Sequence, residues 1–134
     1  MCSTCYMAIS SHLNYFVLDC PDCEELAAFY ARLLGWSVSS FPDVPGWANV
    51  VPPGEYGERF RIGCQQIPDF RPPTWPGGPV PQEGHLDFYV EDLVEGEREA
   101  IAAGATKHEV QPSETGKFVV FLDPVGHPFC LCTD

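Results

Sequence analysis

His85 and Asp87 stand two residues apart in the stretch GHLDFYVEDLVEGEREAIAAG, residues 84–104. From His85 to Val90 the side chains alternate, so Leu86, Phe88 and Val90 share one face and His85, Asp87 and Tyr89 the other, the period of a half-buried strand. On one face a carboxylate can hold an imidazole in a fixed orientation, ready to act as a general base, or the two groups can converge on one ligand. The bland alternative is a solvated histidine, and the surrounding elements have to decide between them.

The other chemistry-bearing residues are cysteines and histidines. Cys2/Cys5 and Cys20/Cys23 form two CxxC pairs separated by fourteen residues, close to a zinc-ribbon pattern. The strand from Leu13 to Cys20 would hold the pairs apart by roughly 25 Å of extended chain at about 3.3 Å per residue. Structural zinc is therefore not expected, and Cys23 is placed at the start of the first helix. The seven cysteines are odd in number, which fits reduced thiols better than a closed set of disulfides. His12, on the helix-facing parity or at a strand edge, and His127, in the polar turn of DPVGHP, are weaker candidates, and His108, between Lys107 and Glu109 on a solvated edge strand, is assigned no role.

The elements that must position His85 repeat along the chain. After Asp92, a plausible N-cap, Leu93, Ala100 and Ile101 recur at helical spacing until Gly104 stops the helix. Earlier, Leu13 to Cys20 alternates as a strand, Cys20-Pro21-Asp22 breaks it, and Leu26, Phe29, Tyr30, Leu33 and Leu34 form an amphipathic stripe closed by Gly35. At an offset of 70 residues, Tyr15 falls on His85, Asp22 on Asp92 and Gly46 on Gly116. Strand-like runs follow in each copy: Trp36 to Phe41, Trp47 to Val51 and Phe60 to Gln66, then Thr106 to Val110, Phe118 to Leu122 and Phe129 to Cys132. Both copies read βαβββ, which predicts one α+β domain of 134 residues. Module one spans 12–67, a proline-rich linker 68–83, and module two 84–134.

The linker PDFRPPTWPGGPVPQE carries six prolines, which fix φ and remove amide donors, so it is neither helix interior nor central strand. It serves either as a stiff spacer or, through Phe70 and Trp75, as an apolar lid over a cavity mouth.

Seven basic residues against nineteen acidic ones give a formal net charge of -12. That balance repels phosphate backbones and anionic lipid surfaces, so no nucleic-acid or membrane partner is expected. The N-terminus MCSTCYMAIS lacks the basic start and apolar run of a signal peptide, and a cytoplasmic location is expected.

With the duplicated βαβββ unit, a helix ending in FYARLLGW, a strand beginning GHLDFYVEDL, PPTWP before it and a close in FLDPVGHPFCLC, the chain resembles the glyoxalase-like branch of the vicinal oxygen chelate superfamily. That group contains glyoxalase I, the bleomycin resistance proteins and the extradiol dioxygenases. The resemblance implies two modules forming a curved mixed sheet around a cavity, helices on the convex side, and a homodimer. In the superfamily's metal enzymes the first and last strand of each module supply one ligand each. Those positions are Tyr15 and His85 on the first strands, Cys130 on the last strand of module two, and Gly63 or Gln65 in module one. Only His85 is a usual ligand, so no complete metal site is implied; a divalent ion, if one binds, would bind through His85.

By strand parity Tyr15, His85 and Cys130 face the cavity while Phe16, Leu86, Phe129 and Leu131 face the helices. Tyr15, Gln65, Trp75, His85, Asp87 and Cys130 are thus the expected ligand-binding residues, with His85 the candidate catalytic base. The expected function is binding of a small, partly aromatic and neutral or cationic molecule without a complete metal site. The alternatives are a lyase or isomerase using His85 as base, and a metal-dependent lyase or dioxygenase with an atypical ligand set.

Overall fold

The computed structural model describes residues 12–134; Cys2 and Cys5 lie outside them. β1 (Asn14–Cys20), α1 (Cys23–Leu34), β2 (Ser37–Ser40), β3 (Trp47–Val51) and β4 (Phe60–Gln66) make the first module, with a short 3-10 turn at Gly54–Glu58. β5 (Leu86–Tyr89), α2 (Leu93–Ala103), β6 (Thr106–Lys107), β7 (Phe118–Leu122) and β8 (Pro128–Cys132) make the second. The architecture is α+β, and each βαβββ module builds its own four-stranded mixed sheet, ordered β1-β4-β3-β2 and β5-β8-β7-β6. The first and last strands of each module are parallel neighbours, because the helix between them carries the chain back across the sheet.

Both helices start and stop as their sequences dictate. Asp22 accepts from the amides of Glu24 and Glu25, and Asp92 from those of Val94 and Glu95, satisfying donors that the first turn leaves unpaired. Gly35 and Gly104 end them with φ of 70° and 119°, a left-handed conformation open to glycine.

One hydrophobic core joins the modules. α1 buries Leu26, Ala27, Phe29 and Tyr30, and the rings of Phe29 and Tyr30 pack on Phe129 and Phe88 of module two with centroids 6.1–6.5 Å apart. Tyr30 also donates a 2.7 Å hydrogen bond to the buried carboxylate of Asp123. Asp123 accepts further from the amides of Val125 and His127, so one side chain closes the β7–β8 turn and ties it to α1.

Two expectations shift. The run from Thr106 to Val110 is a strand only at Thr106–Lys107, because the side chain of Gln111 takes over the pairing with Val120, donating to its carbonyl and accepting from its amide at 2.8 Å. Ile101 is 48% exposed; α2 instead buries Gly96 and Ala100, since the missing side chain of Gly96 lets the helix settle on Leu131 and Val90. Among the described residues, no helix is long and apolar enough to cross a membrane.

Candidate functional site

Strand parity places the polar residues where the alternation predicts. Phe16, Leu86, Phe129 and Leu131 join the helix-side core, so Tyr15, His85, Asp87 and Cys130 occupy the opposite sheet faces. There the structure gathers them into two clusters, one per module.

On module two, His85 Nε2 lies 3.1 Å from Asp87 Oδ1, with the two side chains 40% and 48% exposed. Cys130 sits beneath them because Asp87 and Cys130 are cross-strand partners in the parallel register. One ligand atom each from His85, Asp87 and Cys130 can be chosen so that all three lie within 4.8 Å of one another. Burial, then the charge of Asp87 and a hydrogen bond to it, push the Cys130 thiol up to about 12. Cys130 is therefore a protonated donor to Asp87 at neutral pH rather than a nucleophile, and a cation held here would have to displace that proton. Trp75 lies over the same sheet face, packed with Phe118, Val120, Cys130 and Cys132, and meets His108 edge-on at 4.8 Å. His108, expected to be a solvated bystander, is half-buried and supports this indole.

On module one, Tyr15 meets Trp47 edge-on at 6.4 Å. Its hydroxyl accepts from Asn49 Nδ2 and from Arg61 Nη1, each at 3.4 Å. Trp47 Nε1 donates to Asn49 Oδ1 at 2.6 Å, and Arg61 Nε donates to the Gly57 carbonyl at 2.9 Å. Asn49 was not singled out from the sequence, and Arg61 was not paired with Tyr15. The available signal was the β3 pattern WANVV, in which buried Asn49 lies between the core residues Ala48 and Val50.

The register also decides between Gly63 and Gln65. Val17 pairs with Gly63 and Asp87 with Cys130, and Val17 and Asp87 are related by the 70-residue offset that relates Tyr15 to His85. Gly63 is thus the counterpart of Cys130. A Cβ there would lie 2.6 Å from Trp47 Cζ2, so the indole fills the place that a side chain would take. Gln65 pairs with Asp19, four residues from Tyr15 along the strand, or about 13 Å, and does not join the cluster. Tyr15, Val17 and Gly63 thus stand where module two has His85, Asp87 and Cys130, and a metal shared between the two modules does not fit this ligand set.

Phe70 and His127 lie elsewhere, their rings 5.6 Å apart. His127, set aside as a turn residue, donates from Nε2 to the carbonyl of Asp19 at 2.6 Å and so joins the β7–β8 turn to β1.

Residues 15–132 match the family model described as a glyoxalase-like domain. Among solved structures, the chain is similar to a glyoxalase/bleomycin resistance protein/dioxygenase family enzyme from Burkholderia phytofirmans PsJN. The two share 20% identity, with 89% of this chain and 95% of that one covered and a TM-score of 0.62. TnmS3, an antibiotic binding protein from Streptomyces sp. CB03234, is 19% identical over 96% of this chain and 98% of its own, TM-score 0.61. The fosfomycin resistance protein FosX from Mesorhizobium loti is 14% identical over 91% and 90%, TM-score 0.63. No match was found among curated protein sequences.

Proposed function

The chain belongs to the glyoxalase-like domain family, and on that footing we propose that it binds a small, partly aromatic organic molecule against its polar sheet faces without the usual complete metal site. The observation that carries this reading is Trp47 lying over Gly63. It removes a ligand position from module one and puts an aromatic edge in its place, beside Tyr15. Trp75 supplies a second aromatic surface on module two, and His85 with Asp87 supplies a polar pair to orient a ligand. TnmS3, a neighbour of the same fold, is described as an antibiotic binding protein. The working assembly in this proposal is a cytoplasmic homodimer, which light scattering tests directly.

The decisive experiment measures metal per chain by elemental mass spectrometry on protein purified without tag or chelator, followed by a ligand screen read by tryptophan fluorescence. The expected result is far less than one equivalent of metal, with hits that quench Trp47 or Trp75. About one equivalent of zinc, nickel, iron or manganese that disappears in His85→Ala would overturn the proposal. The 3.1 Å His85–Asp87 contact favours one second reading, a lyase or isomerase in which Asp87 orients His85 to remove a proton next to a carbonyl. In that case turnover is lost in His85→Ala while the fold remains intact.

A further inference from the structure

A cleft of about 460 Å³ lies between β1, the proline-rich segment and His127, and none of Tyr15, Trp47, His85, Asp87 or Cys130 lines it. One wall is a sheet edge, because β1 is the outermost strand of its sheet. The even-numbered residues of β1 bond to β4: Asn14 N–H donates to the Arg59 carbonyl, and the Cys20 carbonyl accepts from Ile67 N–H. The odd-numbered residues therefore turn their backbone groups the other way. The Asp19 carbonyl is taken by His127, while Val17 presents one donor and one acceptor to the open edge.

The facing segment cannot close that edge as a further strand. Pro73 and Pro81 line the cleft and have no N–H to offer a ladder. The gap between edge and segment is lined by the apolar residues Phe16, Phe70 and Val80 and by the polar residues Gln82, Glu83 and Asp19. Gln82 Oε1 is shut off from solvent without a hydrogen-bond partner among the described residues, so it is the carboxylates and not this amide that a ligand in the cleft can reach. Two carboxylates against the single guanidinium of Arg71, with the imidazole of His127 donating to backbone, make the cleft richer in acceptors than in donors.

We propose that this cleft is a second small-molecule site, distinct from the clusters at Tyr15 and at His85, and that it takes a primary ammonium ion on an apolar or aromatic body. The ammonium group is received by the carboxylates of Glu83 and Asp19, and the body rests on Phe70 and Val80.

The test titrates phenethylammonium, and separately phenylpropionate, into the full chain and follows backbone amides by two-dimensional NMR. The expected result is saturable shifts at Val17, Asp19, Gln82 and Gly84 with the ammonium ion and none with the carboxylate. Glu83→Gln and Asp19→Asn, both at exposed positions, each weaken binding about fivefold, the size of one partly exposed charge pair. His85→Ala leaves the affinity unchanged. No saturable shift at millimolar probe, equal binding of phenylpropionate, or shifts centred on His85 and Cys130 would each overturn the assignment.

Discussion

Replacing Gly63 with alanine tests the feature on which the proposed function rests. The added Cβ would stand 2.6 Å from Trp47 Cζ2 and 3.3 Å from Cε2 and Cη2, where carbon atoms settle at about 3.5–4.0 Å. The indole must therefore back away by about 1 Å, and its Nε1 then stretches a 2.6 Å hydrogen bond to Asn49, a side chain that is 1% exposed. Overpacking of this kind costs about 1–3 kcal/mol, and a weakened buried hydrogen bond about 1 kcal/mol more. Removing a glycine from a strand returns about 0.5–1 kcal/mol. The net expectation is a loss of about 2 kcal/mol, or roughly 6–10 °C in melting temperature for a domain of this size. Urea and thermal unfolding measure it, and a double-mutant cycle identifies the cause. With Trp47→Leu already in place, Gly63→Ala costs less than about 0.5 kcal/mol, because the clashing ring is gone. An equal cost in both backgrounds, or a neutral Gly63→Ala in the native background, refutes the packing argument.

Other expectations follow from the same structure. Tyr30→Phe leaves the Asp123 carboxylate short of a buried donor and lowers stability by about 1–3 kcal/mol in urea unfolding, whereas an unchanged midpoint would count against the cross-module tie. Asp22→Ala and Asp92→Ala each remove a cap and cost about 1 kcal/mol, and the double variant shows the sum because the caps belong to different helices. The buried thiols make stability fall in alkali. Burial first raises Cys20 to about 11 and Cys130 to about 12, so the folded chain holds these protons more tightly than the unfolded one. That contribution is complete below the unfolded thiol value of about 8.5 and is lost as pH rises through the folded values; a urea midpoint that stays flat to about pH 11 contradicts it. Asp87→Asn removes the charge that helps keep Cys130 protonated, and mass spectrometry should find its alkylation by iodoacetamide faster than in the native chain.

The parts legible from sequence were those set by neighbours along the chain. Strand-like runs matched β3, β4 and β7 to the residue, and the cap chemistry of Asp92 and Gly104 bounded α2. Parity put Cys130 and Phe129 on opposite faces. What stayed hidden needed partners far away in sequence. Gly63 could not be separated from Gln65 until the pairing with Val17 was known. Tyr30 read as one more apolar residue of a helix stripe, yet its hydroxyl meets Asp123, 93 residues on. His127 looked ordinary in its turn because the carbonyl it binds belongs to β1. β6 was overestimated because a glutamine side chain can imitate a strand's hydrogen bonds.

The passage of Phe29 and Tyr30 into the second module bears on how the duplicated chain must be inherited and handled. Because α1 packs on its own sheet and on its sibling's aromatic rings at once, the core of one half closes only with the other, so neither copy is an autonomous folding unit despite the repeat. Swapping one half for that of a relative would leave Phe88, Phe129 and Asp123 facing a foreign helix. Proteolytic nicking within residues 68–83 would instead yield complementary fragments that stay together, each completing the other's core.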